Sequence, residues 1–480
     1  MIAIATACSG LLAGAVVAPG TQAAAAARAT RAGTWSNAQG VAAGLNQGGE
    51  AQINSVSCAS AGNCSAGGYY TDNGEAAQAF VISQTNGVWG RAGEVPGSAA
   101  LNQGGFAQIS SMSCASAGKC SAGGYYQDRS GLRQMFVVTE TDGVWGGAEE
   151  VPGSAALNQG GFAQISSVSC ASAGNCSAGG SYTGRRGQLQ AFVVNQTNGA
   201  WGNAGEVPGS GTLNTGGEAA VNSVSCGSVG NCSAGGEYST NRKAGQQDAF
   251  VVSETNGHWG TAKPVAAGLN TGAFAQVFSV SCASAGNCSA GGSYFDSSAH
   301  HQAFVVDQAH GRWGAAKEVP GSAALNQGGF AQISSVSCAS AGNCSASGFY
   351  STKRPRAHAL VVTQAHGRWG TARTLPGSVA LNGGGNAEVL SASCASPGNC
   401  AVAGSYQGAA RSRQVFVADQ ANGTWGAAEQ APGTAALNQG GLAAAFAVSC
   451  GAVANCSAGG FYTDSVQEAF VISETPGTAP

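Results

Sequence analysis

Charged residues are scarce in this chain. Its 480 residues include 20 Lys and Arg against 23 Asp and Glu, so that only 9% are charged and the formal net charge is −3. A balance so close to neutrality gives no overall field to attract nucleic acid or an anionic membrane surface. Composition therefore argues against a general nucleic-acid or membrane-surface protein, and we expect no specific nucleic-acid partner.

Histidine and recognised catalytic motifs are also in short supply. There are only six histidines, and none stands at metal-ligand spacing from a cysteine pair, so we expect no metal site and no cofactor. GxSxG, HExxH and P-loop motifs are absent from the sequence. His300 and His301 form one adjacent pair that we expect to lie in a solvated loop. These absences make catalysis less favoured than binding.

The one long apolar stretch lies at the N-terminus. Residues 1–29 resemble a secretory signal peptide, with a run of small apolar residues followed by A-x-A sites but no basic leading region. The stretch is too short and too poor in large side chains to predict a membrane-spanning helix. We therefore expect a secreted, extracellular chain with no membrane span once this segment has been removed.

Glycine (77) and cysteine (17) are abundant instead, and both follow a repeat. A cysteine recurs every 56 residues, and a second follows each one six positions later. The eight pairs are Cys58 and Cys64, Cys114 and Cys120, Cys170 and Cys176, Cys226 and Cys232, Cys282 and Cys288, Cys338 and Cys344, Cys394 and Cys400, and Cys450 and Cys456. Even pairing at a fixed spacing predicts eight disulfides and an oxidising compartment.

Each repeat contains four short runs rich in Val, Ile, Phe, Tyr and Trp, which we label strands a to d. Asn-Gly or Asp-Gly between the last two runs, as at Asn86-Gly87, is a type I′ hairpin signal. Eight units of four antiparallel strands predict an all-β fold, an eight-bladed β-propeller over residues 33–480. An open β-solenoid is the alternative, and a single domain is expected to be a monomer.

The two ends of the chain predict how the ring closes. The repeats begin with an isolated strand d (Gly33-Thr34-Trp35) and end with an isolated strand c (Ala469–Thr475). Together these two strands would complete one blade. We therefore expect the N-terminal strand to join the last blade and close the ring.

The unit is similar to the S-C-x5-C-x-A-x-G repeat of poorly characterised secreted bacterial β-propeller proteins, here Ser113-Cys114 through Cys120-Ser-Ala-Gly123. The resemblance covers residues 33–480. It implies the propeller fold and secretion, and it carries no catalytic motif that could be transferred to this chain.

The loops between strands b and c differ most between repeats and are rich in Lys and Arg. Variable loops on a rigid ring are common binding sites. We therefore take their cations as candidate contacts to an extracellular or cell-envelope glycan: Arg129, Arg185, Arg186, Arg242, Lys353, Arg354, Arg356 and Arg411. The alternative is that charge is merely tolerated in loops. Tyr and Trp also recur in every repeat, and we expect them to pack between sheets.

A carbohydrate-active enzyme, either a glycoside hydrolase or a lyase, is the alternative function. It would use Glu50, Glu218 or Glu388, which stand near the start of strand a and so near the mouth of the channel. A purely structural surface protein is the third possibility. The favoured interpretation is a non-catalytic binding or scaffold protein, lectin-like toward cell-envelope or anionic glycans, with no catalytic residues assigned.

Overall fold

The computed structural model describes residues 33–240, 246–354 and 356–477, which form eight antiparallel sheets. Each sheet is one blade, and the blades are numbered 1 to 8 from the one that begins at Ala51. The predicted eight-bladed propeller is thus confirmed. The signal-like segment 1–29 lies outside the described residues.

Strands a and b of each blade form a long hairpin. Strand a spans Ala51–Ser60, Ala107–Ser116, Ala163–Ser172, Ala219–Ser228, Ala275–Ser284, Ala331–Ser340, Ala387–Ser396 and Ala444–Ala452. Strand b spans Asn63–Thr71, Lys119–Gln127, Asn175–Thr183, Asn231–Ser239, Asn287–Phe295, Asn343–Ser351, Asn399–Gln407 and Asn455–Thr463. Neighbouring blades contact each other through their a strands.

Strand c follows strand b and carries most of the largest fully buried side chains. It spans Ala77–Thr85, Arg133–Thr141, Leu189–Thr197, Gln247–Thr255, His301–Ala309, Ala357–Ala365, Arg413–Ala421 and Gln467–Thr475. In most blades it carries a Phe with no exposed surface, such as Phe80 and Phe136. The core therefore lies in layers between adjacent blades.

Strand d is split into two short segments, and both pair with strand c. The first segments are Thr34–Trp35, Val88–Trp89, Val144–Trp145, Ala200–Trp201, His258–Trp259, Arg312–Trp313, Arg368–Trp369 and Thr424–Trp425. The second are Gln39–Gly40, Gly93–Glu94, Glu149–Glu150, Gly205–Glu206, Lys263–Pro264, Lys317–Glu318, Arg373–Thr374 and Glu429–Gln430. Six of the links that follow carry one helical turn: Ser98–Leu101, Ser154–Leu157, Ser210–Leu213, Ser322–Leu325, Ser378–Leu381 and Thr434–Leu437.

The ring closes as the sequence predicts. Thr34–Trp35 and Gln39–Gly40 both pair antiparallel with Gln467–Thr475, the last strand of the chain. The first described residues therefore supply strand d of blade 8.

All eight predicted disulfides are present, and each joins strand a to strand b directly across the hairpin, as in Cys58–Cys64. The c–d turn lies at the same end of the blade, because the Gly87 N–H donates to the Gly62 carbonyl over 2.8 Å. Positive φ angles at Asn86 (50°) and Gly87 (85°) confirm the type I′ turn. We call this end the disulfide face and the opposite end, with the b–c loops and d–a links, the b–c face.

Candidate functional site

The candidate basic residues lie on the b–c face and point to solvent. Arg129, Arg185, Arg186, Lys353, Arg354, Arg356 and Arg411 are all exposed, whereas Arg242 lies outside the described residues. Among the described residues there are two ion pairs, Lys119 with Asp142 and His300 with Asp296, and neither includes a candidate. These seven cations are therefore available to an external ligand.

The loops that present these cations are held by local hydrogen bonds. In blade 2, the Asp128 carboxylate accepts the backbone N–H groups of Ser130 (2.8 Å) and Leu132 (3.0 Å). An Asp side chain that binds its own following backbone forms a compact turn. Arg129 lies within this turn, so its side chain projects outward instead of folding onto the blade.

Aromatic side chains border the grooves between blades on the same face. Phe106 stacks on Tyr125 with ring centroids 5.5 Å apart and an interplanar angle of 6°. Phe330 stacks on Phe349 in nearly the same way, at 5.4 Å and 6°. The first member of each pair precedes strand a and the second lies on strand b of the same blade. Both pairs lie at the end of the blade where strand c starts. The second ring of each pair borders the groove between its own blade and the following one.

The groove between blades 2 and 3 is filled by an arginine of the chain itself. The Arg133 guanidinium carbon lies 3.9 Å from the Tyr125 ring centroid and 4.6 Å from that of Phe162. The same guanidinium donates to Gln164 Oε1 over 3.0 Å. Arg133 is the first residue of strand c and its guanidinium is held by these contacts. It therefore differs from the cations of the loops, which are exposed to solvent.

The groove between blades 5 and 6 is filled by His301, and the expectation of a solvated histidine pair is wrong for this residue. His301 opens strand c, with its ring centroid 4.1 Å from Phe295 and 4.2 Å from Phe330. Burial lowers the pKa of His301, because the charged imidazolium loses hydration there. Only His300 lies in the exposed loop that we expected.

The groove between blades 6 and 7 is open. It forms a cleft of about 560 Å³ that is bordered by Phe330, Phe349, Lys353, Ala357 and Glu388. The polar side chains of Asn386 and Gln407 complete its wall on the side of blade 7. The cleft brings one predicted cation, Lys353, together with one predicted carboxylate, Glu388.

The three glutamates of the enzyme alternative are not brought together. Glu50 forms a backbone bridge to Gln467 in the groove between blades 8 and 1, and Glu218 forms one to Leu189 between blades 3 and 4. Glu388 lies between blades 6 and 7. At least two whole blades separate any two of these carboxylates, so they do not form the close pair that glycoside hydrolysis requires.

Sequence reasoning missed a carboxyl group on strand b of blade 4. Glu237 is partly buried and accepts hydrogen bonds from Asn222 and, over 3.1 Å, from Gln276. Burial, with a smaller contribution from the charge of Glu218, raises the pKa of Glu237 to about 7. The equivalent residues in other blades, such as Tyr69, Tyr125 and Ser181, are uncharged, and that contrast was visible in the sequence.

The recurring Tyr and Trp side chains are structural, as expected. Tyr70 is 4% exposed, packs in the core with Phe80, and donates its hydroxyl to Glu94 over 2.8 Å. Trp145 reaches into the preceding blade and donates its indole N–H to the Ser83 hydroxyl over 3.3 Å. These rings fill the space between sheets.

The described residues contain no group of three or more His, Cys, Asp or Glu side chains placed to hold a metal ion. No helix within them has the length and apolar character needed to cross a membrane.

Comparison with known proteins identifies no family. No protein-family model and no curated protein matches the chain. Among solved structures, it is similar to the β-propeller domain of the Trilobed protease from Pyrococcus furiosus, with 7% identity and a TM-score of 0.42 over 79% of this chain and 97% of that one.

A lectin from Burkholderia pseudomallei matches at 11% identity and a TM-score of 0.42, over 78% of this chain and 98% of the lectin. A polysaccharide lyase described as an ulvan lyase matches at 11% identity and 0.42, over 93% and 95% of the two chains. Similarity at this level transfers no function, and the propeller assignment rests on the sheets themselves.

Proposed function

We propose that this protein is a secreted, non-catalytic glycan-binding protein that recognises anionic polysaccharide through its b–c face. The observation that carries the proposal is the set of seven exposed cations on that face, none of them in an ion pair with another described residue. Unpaired cations in a chain with so little charge create a local field where the global one is absent.

The arrangement of these cations suits an extended polymer. They lie on the loops of blades 2 and 3 and of blades 6 and 7, so they form two separate groups on opposite sides of the ring and do not converge on one point. Separate groups of charges can contact successive anionic groups along one chain, and many weak contacts then add up to useful affinity. Attraction between exposed charges is screened by salt, so binding should weaken as ionic strength rises.

Secretion is part of the proposal. Eight disulfides are typical of a protein in an oxidising compartment, and residues 1–29 resemble a signal peptide. An envelope or extracellular polysaccharide is the anionic polymer that a protein in that compartment would meet.

The test measures binding of the full chain to neutral and anionic polysaccharides at low and high salt. We expect binding to the anionic members alone, weakened about tenfold or more by a few-fold rise in salt. Replacing Arg185 and Arg186 by Ser should reduce it. The matched control replaces Arg312 and Arg368, which are equally exposed but follow the c–d turns on the disulfide face.

Equal losses from both double variants would contradict a role for the b–c face, and no binding to any member would leave a structural role. Cleavage of a polysaccharide during the assay would favour the enzyme alternative. Glu237 is the group that favours it, since a carboxyl with a pKa near 7 can donate a proton at neutral pH. Glu237→Gln would then abolish cleavage.

A further inference from the structure

We infer that the open cleft between blades 6 and 7 binds the protonated amino group of an unacetylated amino sugar. This inference rests on the proposed glycan-binding function and names a sugar that the glycan would carry. Another groove of the same ring already holds a cation of the chain itself in the equivalent place.

The groove between blades 2 and 3 shows what this geometry accepts. There the stacked pair Phe106 and Tyr125 leaves one face of Tyr125 covered by the Arg133 guanidinium, at 3.9 Å from the ring centroid. Gln164 of the next blade accepts a hydrogen bond from the same group. An aromatic face and an oxygen acceptor together make a cation site.

Four repeats further along the chain, the same positions form the open cleft. Phe330 and Phe349 reproduce the stacked pair. Ala357 stands where Arg133 stands in the other groove, so the cation is missing. Glu388 replaces Gln164, and therefore a neutral acceptor has become a carboxylate. Loss of the internal cation together with gain of a negative charge leaves a site complementary to an external cation.

The cleft is also larger than a single cationic group requires. Asn386 replaces the bulky Phe162 on the wall, and the resulting volume of about 560 Å³ can admit a sugar ring as well as its amino substituent. Asn386 and Gln407 supply amide groups for sugar hydroxyls. These features favour an amino sugar over the side chain of a protein partner.

Two cations stand beside the cleft and define the rest of the ligand. Lys353 borders it, and the aliphatic part of Arg356 lies against Gly385, which also forms its wall. Both belong to the exposed set of the proposed function. A glycan with an amino group in the cleft and acidic groups outside it would satisfy Glu388 and these two cations at once.

The experiment titrates the full chain with glucosamine oligomers and with N-acetylglucosamine oligomers of the same length, at a pH where the amine is protonated. The two probes differ at each residue in the charge and the acetyl group. We expect the amine form to bind about tenfold or more tightly than the acetylated form. Glu388→Gln should remove most of that difference.

Filling the cleft gives a second, independent variant. Ala357→Arg should occupy it from within, as Arg133 does in its own groove, and abolish binding of the amine oligomer. Ala77→Arg is the matched control, because it places the same substitution at the equivalent position of blade 1. Conversely, Arg133→Ala combined with Phe162→Asn and Gln164→Glu should raise the number of sites for the amine oligomer from one to two.

Equal affinity for the two oligomers, or full binding by the Ala357→Arg variant, would overturn the inference. Tighter binding of an arginine-rich peptide than of the amine oligomer would also overturn it, because the occupant would then be a protein. Failure of the proposed function looks different, since the wild-type chain would bind no anionic polysaccharide whatever the state of the cleft.

Discussion

Two adjacent glycines on strand b show how one residue type serves two different contacts. The second, such as Gly124, is glycine in all eight blades, because a Cβ there would overlap the carbonyl oxygen of Gln108 on strand a of the same blade. The first, such as Gly123, faces the next blade, where a Cβ would lie 2.7 Å from Ile165 Cδ1. The first glycine therefore meets a side chain, which a substitution can make smaller, whereas the second meets backbone, which no substitution can change.

Two blades have a larger residue in place of the first glycine, and the facing blade then carries a smaller side chain. Ser347 replaces the first glycine in blade 6, and the facing blade 7 carries Ala392 where other blades have Val or Met. Ala403 replaces it in blade 7, and the facing blade 8 carries Ala445 where others have Ile or Val. A larger residue on one side is matched by a smaller one on the other, as dense packing requires.

Gly123→Ala should therefore destabilise the protein by about 1–3 kcal/mol through overpacking against Ile165. Adding Ile165→Ala should cost less than the sum of the two single changes, because the pair then resembles Ala403 and Ala445. Denaturant unfolding of the single and double variants measures this coupling. Gly147→Ala, at a glycine with open space around its Cβ position, is the control. If the changes in unfolding free energy of the two single variants simply added in the double variant, the proposed compensation between the two positions would be wrong.

The candidate site shows which residue-scale features a sequence can disclose. Glu388 and Lys353 were identified from the chain alone, and Glu237 could have been found by aligning the repeats at one position. The cleft could not have been found from the sequence, because Phe349 and Ala357 come from one blade while Asn386 and Glu388 come from the next. Their meeting depends on the register between blades, which no periodicity within a repeat specifies.

At the scale of the strand, serines of strand a tie neighbouring blades together. The Cys114 N–H of blade 2 donates to the Ser57 hydroxyl of blade 1 over 2.9 Å, and the Met112 N–H donates to Ser55 over 3.0 Å. Equivalent bonds run around the ring as far as blade 1, where the Cys58 N–H donates to Ser449. The S-x-S pattern of the first seven repeats, and Ser449 alone in the eighth, thus provide acceptors for backbone groups that have no further strand to pair with.

Ser57→Ala should leave the Cys114 N–H without this acceptor and cost about 1–3 kcal/mol. Hydrogen exchange gives a local measure, since protection of the Cys114 amide should fall while that of the disulfide hairpin in distant blades is kept. Ser110→Ala is the matched change, because among the described residues the Ser110 hydroxyl bonds only Gln108 of its own strand. Unchanged protection at Cys114 would refute the role of Ser57.

Strand-scale features were predictable to differing degrees. The number of strands, the I′ turns and the closing strand follow from local signals that recur eight times. The division of strand d into two segments and the helical turn at Ser98–Leu101 do not follow from local signals. Both depend on how the link between strand d and the next strand a packs against the blade. Asn102 illustrates the reason: its buried amide donates to the Ala77 carbonyl over 2.9 Å and to Gln78 over 3.0 Å, which holds the link to strand c.

At the scale of the whole ring, most grooves contain a polar pair formed by strand c of one blade and strand c of the next. Ser83 donates to Glu140 over 2.9 Å, and Gln308 donates to Ser253 over 2.8 Å. Between blades 7 and 8 the pair is Asp419 and Glu474, two carboxyl groups. This is the groove that the N-terminal strand completes, since the Gly33 N–H donates to Glu474 over 2.9 Å and Trp35 to Asp419 over 3.1 Å.

This acidic pair should make closure of the ring sensitive to pH. Burial raises the pKa of Glu474 to about 8, with a further increase from the charge of Asp419. Burial also raises the pKa of Asp419 to about 6. The hydrogen bond from Trp35 lowers this pKa, and the charge of Glu429 raises it further. The folded state therefore holds these protons more tightly than the unfolded chain, and the associated stability is complete below the ordinary carboxyl pKa of about 4. It is lost as pH rises through about 8.

The melting temperature should accordingly fall between about pH 5 and about pH 9, and Asp419→Ser should make that fall shallower. Serine is the informative replacement, because Ser83 accepts from Trp145 and pairs with Glu140 in an equivalent groove, so the variant keeps an acceptor for Trp35. Glu140 and Glu254, whose pKa values burial also raises, act with the same sign in both proteins and cancel in the comparison. Parallel melting curves for the two proteins would show that the acidic pair does not control closure.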